Sequence, residues 1–164
     1  MSKAASGTVS LGKKVPDFTA ATTEGGEWRL KEALGSKVVL FFYPKDMTPG
    51  CTIEAREFRD LQASFRKAGA LVVGVSRDSC SSHQKFRTKE QLNYELLSDA
   101  DEALCRLFDV IKEKNMYGKK VFGIERSTFL IGADGQLKQE WRGLKVPGHV
   151  DEVLLAVKAL KKAG

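Results

Sequence analysis

The residues with the clearest chemical potential are one cysteine and its polar neighbours. Cys51 follows Thr48-Pro49-Gly50, at the end of a loop that begins at Pro44. Threonine is a good N-cap and proline suits the first helical position, so Cys51 should lie in the first turn of a helix. Free backbone N–H groups and the positive end of the helix dipole favour an anion there. The pattern therefore predicts a cysteine that reacts as a thiolate, its nucleophilic form.

The hydrophobic pattern predicts the elements that hold this loop. The apolar run Val38-Val39-Leu40-Phe41-Phe42 before the loop is typical of a strand that is buried on both faces. After the loop, apolar residues recur at about the 3.6-residue spacing of an α-helix, as far as Gly69. Cys51 is therefore expected at the start of the helix that follows a buried strand, at one edge of a sheet.

Predicted strands and helices alternate through the rest of the chain. An N-terminal hairpin turns at Glu24-Gly25-Gly26, and Ser98 with Asp101 forms a capping-box pattern for a following helix. Residues 111–123 are basic and contain glycine, and we interpret them as a loop. Further strands are predicted at 70–76, 96–97, 126–131 and 136–141, and helices at 79–89, 98–110 and after Pro147-Gly148. The alternation predicts one α/β layered domain over residues 13–164, preceded by a flexible tail at residues 1–12.

The amino-acid composition limits the classes of protein to which this chain can belong. The 164 residues are 42% hydrophobic, enough for a core, and contain no apolar run of membrane-spanning length. The start of the chain lacks the apolar segment of a signal peptide, so we expect a cytoplasmic protein. The net charge of +6 comes without a nucleic-acid recognition motif, so we expect no nucleic-acid partner. Three scattered cysteines and two histidines form neither a disulfide framework nor a zinc-type spacing.

Several segments carry a resemblance to a known family. The pattern Pro44-x-x-x-Thr48-x-x-Cys51 resembles the active-site signature of the peroxiredoxins. Thr48-Pro49-Gly50-Cys51-Thr52-x-Glu54 is similar to the form found in the PrxQ, or bacterioferritin comigratory protein, subfamily. Further matches occur in order along nearly the whole chain: Val15-Pro16-Asp17-Phe18, Gly74-Val75-Ser76-Arg77-Asp78-Ser79 and Arg126-Ser127-Thr128-Phe129-Leu130-Ile131.

The resemblance implies a thioredoxin-like fold of the peroxiredoxin type, with a central mixed sheet flanked by helices. It implies reduction of hydrogen peroxide and organic hydroperoxides without a metal or organic cofactor. Cys51 would be the peroxidatic thiolate, and Thr48 would hydrogen-bond the thiolate and the peroxide. Pro44 would shield the sulfur, Arg126 would be the active-site arginine and Glu54 its supporting carboxylate. A monomer reduced by thioredoxin, glutaredoxin or glutathione is expected.

Arg126 also makes chemical sense without the resemblance. It immediately precedes a predicted strand, so it can reach the sheet edge where Cys51 lies. Peroxide cleavage puts negative charge on the departing oxygen, and fixed donors aimed at that oxygen stabilise the transition state. An arginine, a threonine hydroxyl and helix-start N–H groups can supply such donors.

The second half of the reaction departs from the subfamily pattern. Its members usually resolve the oxidised cysteine with a second cysteine, either five residues later or on the next helix. Arg56 and, near the second place, Arg87 occupy those positions here. Cys80 is a substitute if strands 38–43 and 71–76 are parallel neighbours, since both cysteines would then follow the same sheet end. A one-cysteine cycle that uses an external thiol is the other possibility, and Cys105 is interpreted as a packing residue.

Other interpretations of these residues remain open. Cys51 can be an inert buried residue, Thr48 only an N-cap, Arg126 a surface ion-pair residue and Glu54 a partner of the helix dipole. A thioredoxin-like disulfide oxidoreductase is the alternative enzyme, but Cys-x-x-Cys would need a cysteine at position 54. A non-enzymatic binding module leaves this set of residues unexplained. The two histidines, His83 and His149, are interpreted as helix-surface residues.

Overall fold

The computed structural model describes residues 8–160, which form a mixed sheet with helices on its faces. The strands are β1 Thr19–Thr22, β2 Glu27–Arg29, β3 Lys37–Phe42, β4 Ala70–Ser76, β5 Glu95–Ser98, β6 Ile111–Met116, β7 Lys119–Ile124, β8 Ser127–Ile131 and β9 Leu137–Arg142. The helices are α1 Leu30–Ala33, α2 Pro49–Asp60, α3 Gln62–Lys67, α4 Cys80–Glu90, α5 Ala103–Leu107 and α6 His149–Ala159. Each helix among residues 8–160 is too short or too polar to cross a bilayer.

The large sheet is built around β3. Its seven strands follow the order β2-β1-β5-β4-β3-β8-β9. All six residues of β3 are buried, as its apolar run predicts, and β4 pairs with it in parallel. On its other side β8 pairs antiparallel, with Phe42 opposite Ser127. This register brings the start of β8 next to the loop that leaves β3.

Alternate side chains of β3 point into two hydrophobic layers. Phe41 and Tyr43 belong to the layer covered by α2, α3, α4 and α6, and Leu40 and Phe42 belong to the layer that includes α5. Gly74 of β4 lies under this packing, since a Cβ there would come within 2.8 Å of both Phe41 Cζ and Leu96 Cδ2. Glycine at this position therefore leaves room for the Phe41 and Leu96 side chains.

The interpretation of residues 111–123 as a loop was wrong. They form the antiparallel ribbon β6–β7, whose turn residues Tyr117 and Gly118 both have positive φ, 54° and 80°. Two consecutive residues of that kind make the tight turn that suits a hairpin. The ribbon has no continuous buried face, and Phe122 is 62% exposed. Hydrophobic alternation, the usual sequence signal of a strand, was therefore missing.

The predicted capping box at Ser98 was also wrong. Ser98 belongs to β5 and donates to the Asp78 carbonyl oxygen, 2.7 Å away. The helix is the short α5, and the carboxylate of Asp99 accepts from the N–H groups of Leu104 (2.9 Å) and Cys105 (2.7 Å). An aspartate that accepts two N–H groups replaces the reciprocal serine–aspartate pair that the sequence indicated.

Part of the expected N-terminal tail packs on the domain. Residues 1–7 lie outside the described residues. Val9 is buried and its N–H donates to the Leu107 carbonyl oxygen at 3.1 Å. The N–H of Gly12 donates to the Leu137 carbonyl oxygen at 2.8 Å. Residues 8–12 therefore cover the α5 side of the sheet instead of extending away from it.

Candidate active site

Cys51 lies in the first turn of α2, as expected. Thr48 is the N-cap residue with extended backbone angles, and Pro49 is the first helical residue. The first backbone bond of this turn runs from Thr52 N to Thr48 O, at 2.9 Å, so the N–H groups of Gly50 and Cys51 precede the helical ladder. The Cys51 side chain is only 2% exposed. The Cys51 side chain therefore lies at the positive end of the helix dipole, with bulk water largely excluded.

Arg126 immediately precedes β8, the antiparallel neighbour of β3, and its side chain reaches the sulfur of Cys51. Its Nη2 lies 3.4 Å from Cys51 Sγ. A Cβ on Gly50 would come within 3.1 Å of the same Nη2, so the glycine leaves room for the guanidinium. Burial lowers the pKa of Arg126, but Glu54 and Cys51 more than offset this, and the guanidinium stays charged. A permanent cation therefore faces the sulfur.

Glu54 holds Arg126 from the next turn of α2. Its Oε1 accepts from Arg126 Nη1 at 2.7 Å, and its side chain is fully buried. Burial raises the pKa of Glu54 from 4.5 to about 7, because Arg126 offsets only part of the desolvation. Its other oxygen, Oε2, has no hydrogen-bond partner among residues 8–160. The carboxyl group is therefore poised between its neutral and charged forms near neutral pH.

Thr48 and Pro44 lie at the two ends of the loop that precedes Cys51. The Thr48 hydroxyl donates to the Lys45 carbonyl oxygen at 2.8 Å and makes no cap hydrogen bond to the helix. Met47 lies between Lys45 and Thr48 and has a left-handed backbone (φ 64°), which turns the chain so that this short bond can form. Pro44 is half-buried at the start of the loop. Thr48 thus has the position of an N-cap but not its side-chain bond.

The structure does not bring Cys80 to Cys51. β3 and β4 are parallel, so both cysteines follow the same end of the sheet, as expected. Cys80 Sγ, however, donates to the carbonyl oxygen of Thr22 in β1 at 3.2 Å. β1 lies three strand positions from β3, a separation of about 14 Å. A disulfide needs Cα atoms within about 7 Å, so a direct Cys51–Cys80 bond requires a large rearrangement.

Cys105 has the packing role expected of it. It is fully buried in the layer that contains α5. Burial, and then the neighbouring Asp99 carboxylate, raises the pKa of Cys105 far above its usual range. The residue therefore stays a thiol and is a poor nucleophile.

Both histidines were wrongly interpreted as helix-surface residues. His83 is fully buried and its Nδ1 lies 2.7 Å from Asp46 Oδ2. His149 is 4% exposed, and its Nε2 lies 2.8 Å from Thr128 Oγ1. Burial lowers the pKa of His149 to about 4, so its ring is neutral at pH 7. The only sequence signal for the contact between His83 and Asp46 was the position of Asp46 inside the Cys51 loop.

One cluster of potential metal ligands occurs within residues 8–160. Ligand atoms of Asp46, Asp78 and His83 lie within 4.8 Å of one another. The two oxygens of Asp46 and Oδ2 of Asp78 already accept hydrogen bonds from neighbouring groups. These three side chains form a hydrogen-bond network with their neighbours, and we assign no metal to them.

Known proteins share both the sequence and the fold. The AhpC/TSA family matches residues 11–140. Peroxiredoxin Bcp of Xanthomonas campestris pv. campestris is 54% identical over 146 residues, which span 89% of this chain and 91% of that protein. The solved structure of Xanthomonas campestris peroxiredoxin Q has a TM-score of 0.86 at 52% identity, over 93% of this chain and 97% of that one.

A second structure comes from a study of the alkyl peroxide reduction activity of Xanthomonas campestris bacterioferritin comigratory protein. It has a TM-score of 0.86 at 51% identity, over 93% of this chain and 98% of that one. The thioredoxin-like fold of the peroxiredoxin type is thereby confirmed. The fold and the buried cysteine define a thiol-dependent peroxidase, and the chain belongs to the AhpC/TSA family. Within that family its relatives place it in the peroxiredoxin Q, or Bcp, group, as the sequence motifs predicted.

Proposed function

We propose that the chain reduces hydrogen peroxide and organic hydroperoxides, with Cys51 as the attacking thiolate. The observation that carries this proposal is the charged Arg126 Nη2 at 3.4 Å from Cys51 Sγ, in the first turn of α2. The alkyl peroxide reduction named for the Xanthomonas relative supports organic hydroperoxides as substrates.

The chemical step follows from these positions. The Cys51 thiolate attacks the terminal oxygen of the hydroperoxide, an S–O bond forms and the O–O bond breaks. Sulfur is oxidised to sulfenic acid, and the remaining oxygen leaves as alkoxide, or as hydroxide from hydrogen peroxide. A proton converts it to alcohol or water. Arg126 and the free N–H groups at the start of α2 stabilise the charge on the departing oxygen.

The neighbours of Cys51 have supporting roles in this proposal. Glu54 holds Arg126 through the 2.7 Å bond to Nη1 and so keeps Nη2 directed at the sulfur. Thr48 turns its hydroxyl from the Lys45 carbonyl oxygen toward the peroxide when substrate binds. Pro44, which has no N–H group, covers the loop side of the sulfur without offering a competing donor.

We propose that an external thiol completes the cycle. The separation of about 14 Å between β1, which Cys80 contacts, and β3 argues against internal resolution. The external thiolate attacks the sulfenic sulfur, forming a mixed disulfide and releasing water. A second thiol then frees Cys51 and leaves the reductant as a disulfide. Thioredoxin, glutaredoxin or glutathione would serve, with the chain acting as a cytoplasmic monomer.

The experiment follows peroxide-dependent oxidation of dithiothreitol. Cys51→Ser should abolish turnover, whereas Cys105→Ser, the matched control at an unreactive buried thiol, should retain it. Intact mass after one equivalent of peroxide should show a gain of one oxygen in the wild type and no gain in Cys51→Ser. A Cys51→Ser variant with normal turnover would contradict the proposal.

The alternative enzyme, a thioredoxin-like disulfide oxidoreductase, has weaker support. Position 54, where Cys-x-x-Cys needs its second thiol, holds a fully buried glutamate bonded to Arg126. An oxidoreductase of that kind would reduce protein disulfides without peroxide. Disulfide reduction that persists when peroxide is absent would favour it.

A further inference from the structure

The side-chain hydrogen bonds between the Cys51 loop and other described elements converge on Asp46. Among residues 8–160, the hydrogen bonds that join residues 44–48 to elements other than α2 all involve Asp46. Its N–H donates to Asp78 Oδ2 at 2.8 Å. The one other side-chain bond of the loop, from Thr48 to the Lys45 carbonyl oxygen, stays within it. The position of the loop therefore depends on what holds Asp46.

Three side chains form hydrogen bonds with the Asp46 carboxylate. Tyr43 donates to Oδ1 at 2.6 Å, and Ser82 donates to Oδ2 at 2.7 Å. Burial and the Asp46 charge raise the pKa of Tyr43 well above its usual value, so the phenol keeps the proton that it donates. The third partner is His83, whose Nδ1 lies 2.7 Å from Oδ2. Ser82 and His83 both belong to α4.

Both ring nitrogens of His83 have polar partners. Its Nε2 lies 3.0 Å from the Leu97 carbonyl oxygen, which can only accept, so Nε2 is a donor. A proton also lies between Nδ1 and Asp46 Oδ2. The same carboxylate receives two further hydroxyl donors, from Tyr43 and Ser82. His83 and Asp46 therefore form a short, buried hydrogen bond between α4 and the loop.

This connection bears on the part of the cycle in which the reductant acts. Cys51 is 2% exposed, so little of its sulfur is open to the thiol that must attack the sulfenic acid. The loop that covers Cys51 has to move for that attack. Moving it breaks this short hydrogen bond, and leaving a buried polar group without its partner is costly.

We propose that His83 is a positioning residue that holds the Cys51 loop closed through Asp46, and that this pair sets how readily a thiol reductant reaches the oxidised Cys51. The inference rests on the proposed peroxidase cycle. Closed, the loop keeps Pro44 and Thr48 beside the sulfur for the reaction with peroxide. Open, it admits the reductant. Weakening the pair should therefore affect the two half-reactions differently.

Two substitutions at His83 separate the pair from simple packing. His83→Gln places its amide near the Nε2 position and keeps the bond to the Leu97 carbonyl oxygen, but loses the bond to Asp46. His83→Asn places its amide near the Nδ1 position and keeps a donor to Asp46. Both variants lose the ring, so both should lose stability. Lys37→Met controls for stability at the opposite end of β3, where Lys37 donates to two carbonyl oxygens.

Each half-reaction is measured by itself in reduced, full-length protein. The peroxide step is followed by stopped flow, and the second step by mixing singly oxidised protein with dithiothreitol and trapping the remaining sulfenic acid. His83→Gln should react with dithiothreitol about tenfold faster than wild type, the minimum expected from losing a hydrogen bond to a charged group. Its peroxide step should be equal or slower. His83→Asn should lie closer to wild type, and Lys37→Met should leave the dithiothreitol step unchanged.

An unchanged dithiothreitol step in His83→Gln, a parallel fall of both half-reactions, or the same acceleration in Lys37→Met would overturn the inference. Failure of the proposed function is distinguishable, because the wild type itself would then not form sulfenic acid at Cys51.

Discussion

Replacing Glu54 by glutamine removes a carboxylate whose charge the fold disfavours. The pKa of Glu54 rises from 4.5 to about 7 because the side chain is buried and Arg126 compensates only in part. The unfolded chain releases this proton near pH 4.5, whereas the folded chain keeps it until about pH 7. Between these values the unfolded state binds fewer protons, so the free energy of unfolding falls as pH rises. The loss is complete above about pH 7.

The size of this loss follows from the pKa difference. At about 1.4 kcal/mol per pKa unit, a rise from 4.5 to about 7 corresponds to about 3 kcal/mol. Glutamine has nearly the same shape and no charge, so Glu54→Gln should lack this penalty. Relative to wild type, the variant should gain about 3 kcal/mol between pH 4.5 and pH 8. Any fixed cost of the new amide is the same at both pH values and drops out of the comparison.

Urea unfolding of wild type and Glu54→Gln at several pH values, under reducing conditions, measures this difference. Glu57→Gln is the matched control on the same helix, because Glu57 is partly exposed and its pKa is raised less by burial. Its pH-dependent gain should be much smaller. A stability difference between wild type and Glu54→Gln that does not change with pH would refute the reasoning, since Arg126 would then fully compensate the buried charge.

Three further substitutions test other parts of the structure. Arg126→Ala removes the donor at 3.4 Å from Cys51 Sγ and should lower the stopped-flow rate constant with peroxide by about 10²–10³; a wild-type rate would remove Arg126 from the reaction. Cys80→Ser should turn over normally with dithiothreitol, because its sulfur contacts Thr22 instead; a stall as sulfenic acid would restore Cys80 as the resolving residue. Gly74→Ala should destabilise the fold by about 1–3 kcal/mol in urea, since the new methyl group would overlap the Phe41 ring, and an unchanged midpoint would contradict that packing.

Some features of the candidate site could be predicted because they depend on consecutive residues. The buried run of β3, the turn residues of the loop and the proline at the start of α2 are all local signals, and they placed Cys51 correctly. The sequence also predicted that Arg126 lies just before a strand. Antiparallel pairing of β8 with β3 then brings any residue at that position beside the loop. The identity of the family followed from these same local motifs.

Features that depend on contacts between distant residues were not predictable. His83 is 37 residues from Asp46, and His149 is 21 residues from Thr128, so nothing near either histidine indicates burial. The β6–β7 ribbon lacks a buried face, and hydrophobic periodicity gave no sign of it. Cys80 follows the same sheet end as Cys51, yet the direction of its side chain toward β1 depends on how α4 sits across the strands.

The sequence by itself therefore determined the candidate cysteine, its place at the start of a helix and the family, because those are encoded in neighbouring residues. Only the tertiary structure decided which groups surround that cysteine. The raised pKa of Glu54, the direction of Arg126 and the attachment of the loop through Asp46 and His83 all arise from burial. Burial removes water and forces each polar group to find a partner within the fold, and that partner is set by packing, not by sequence distance.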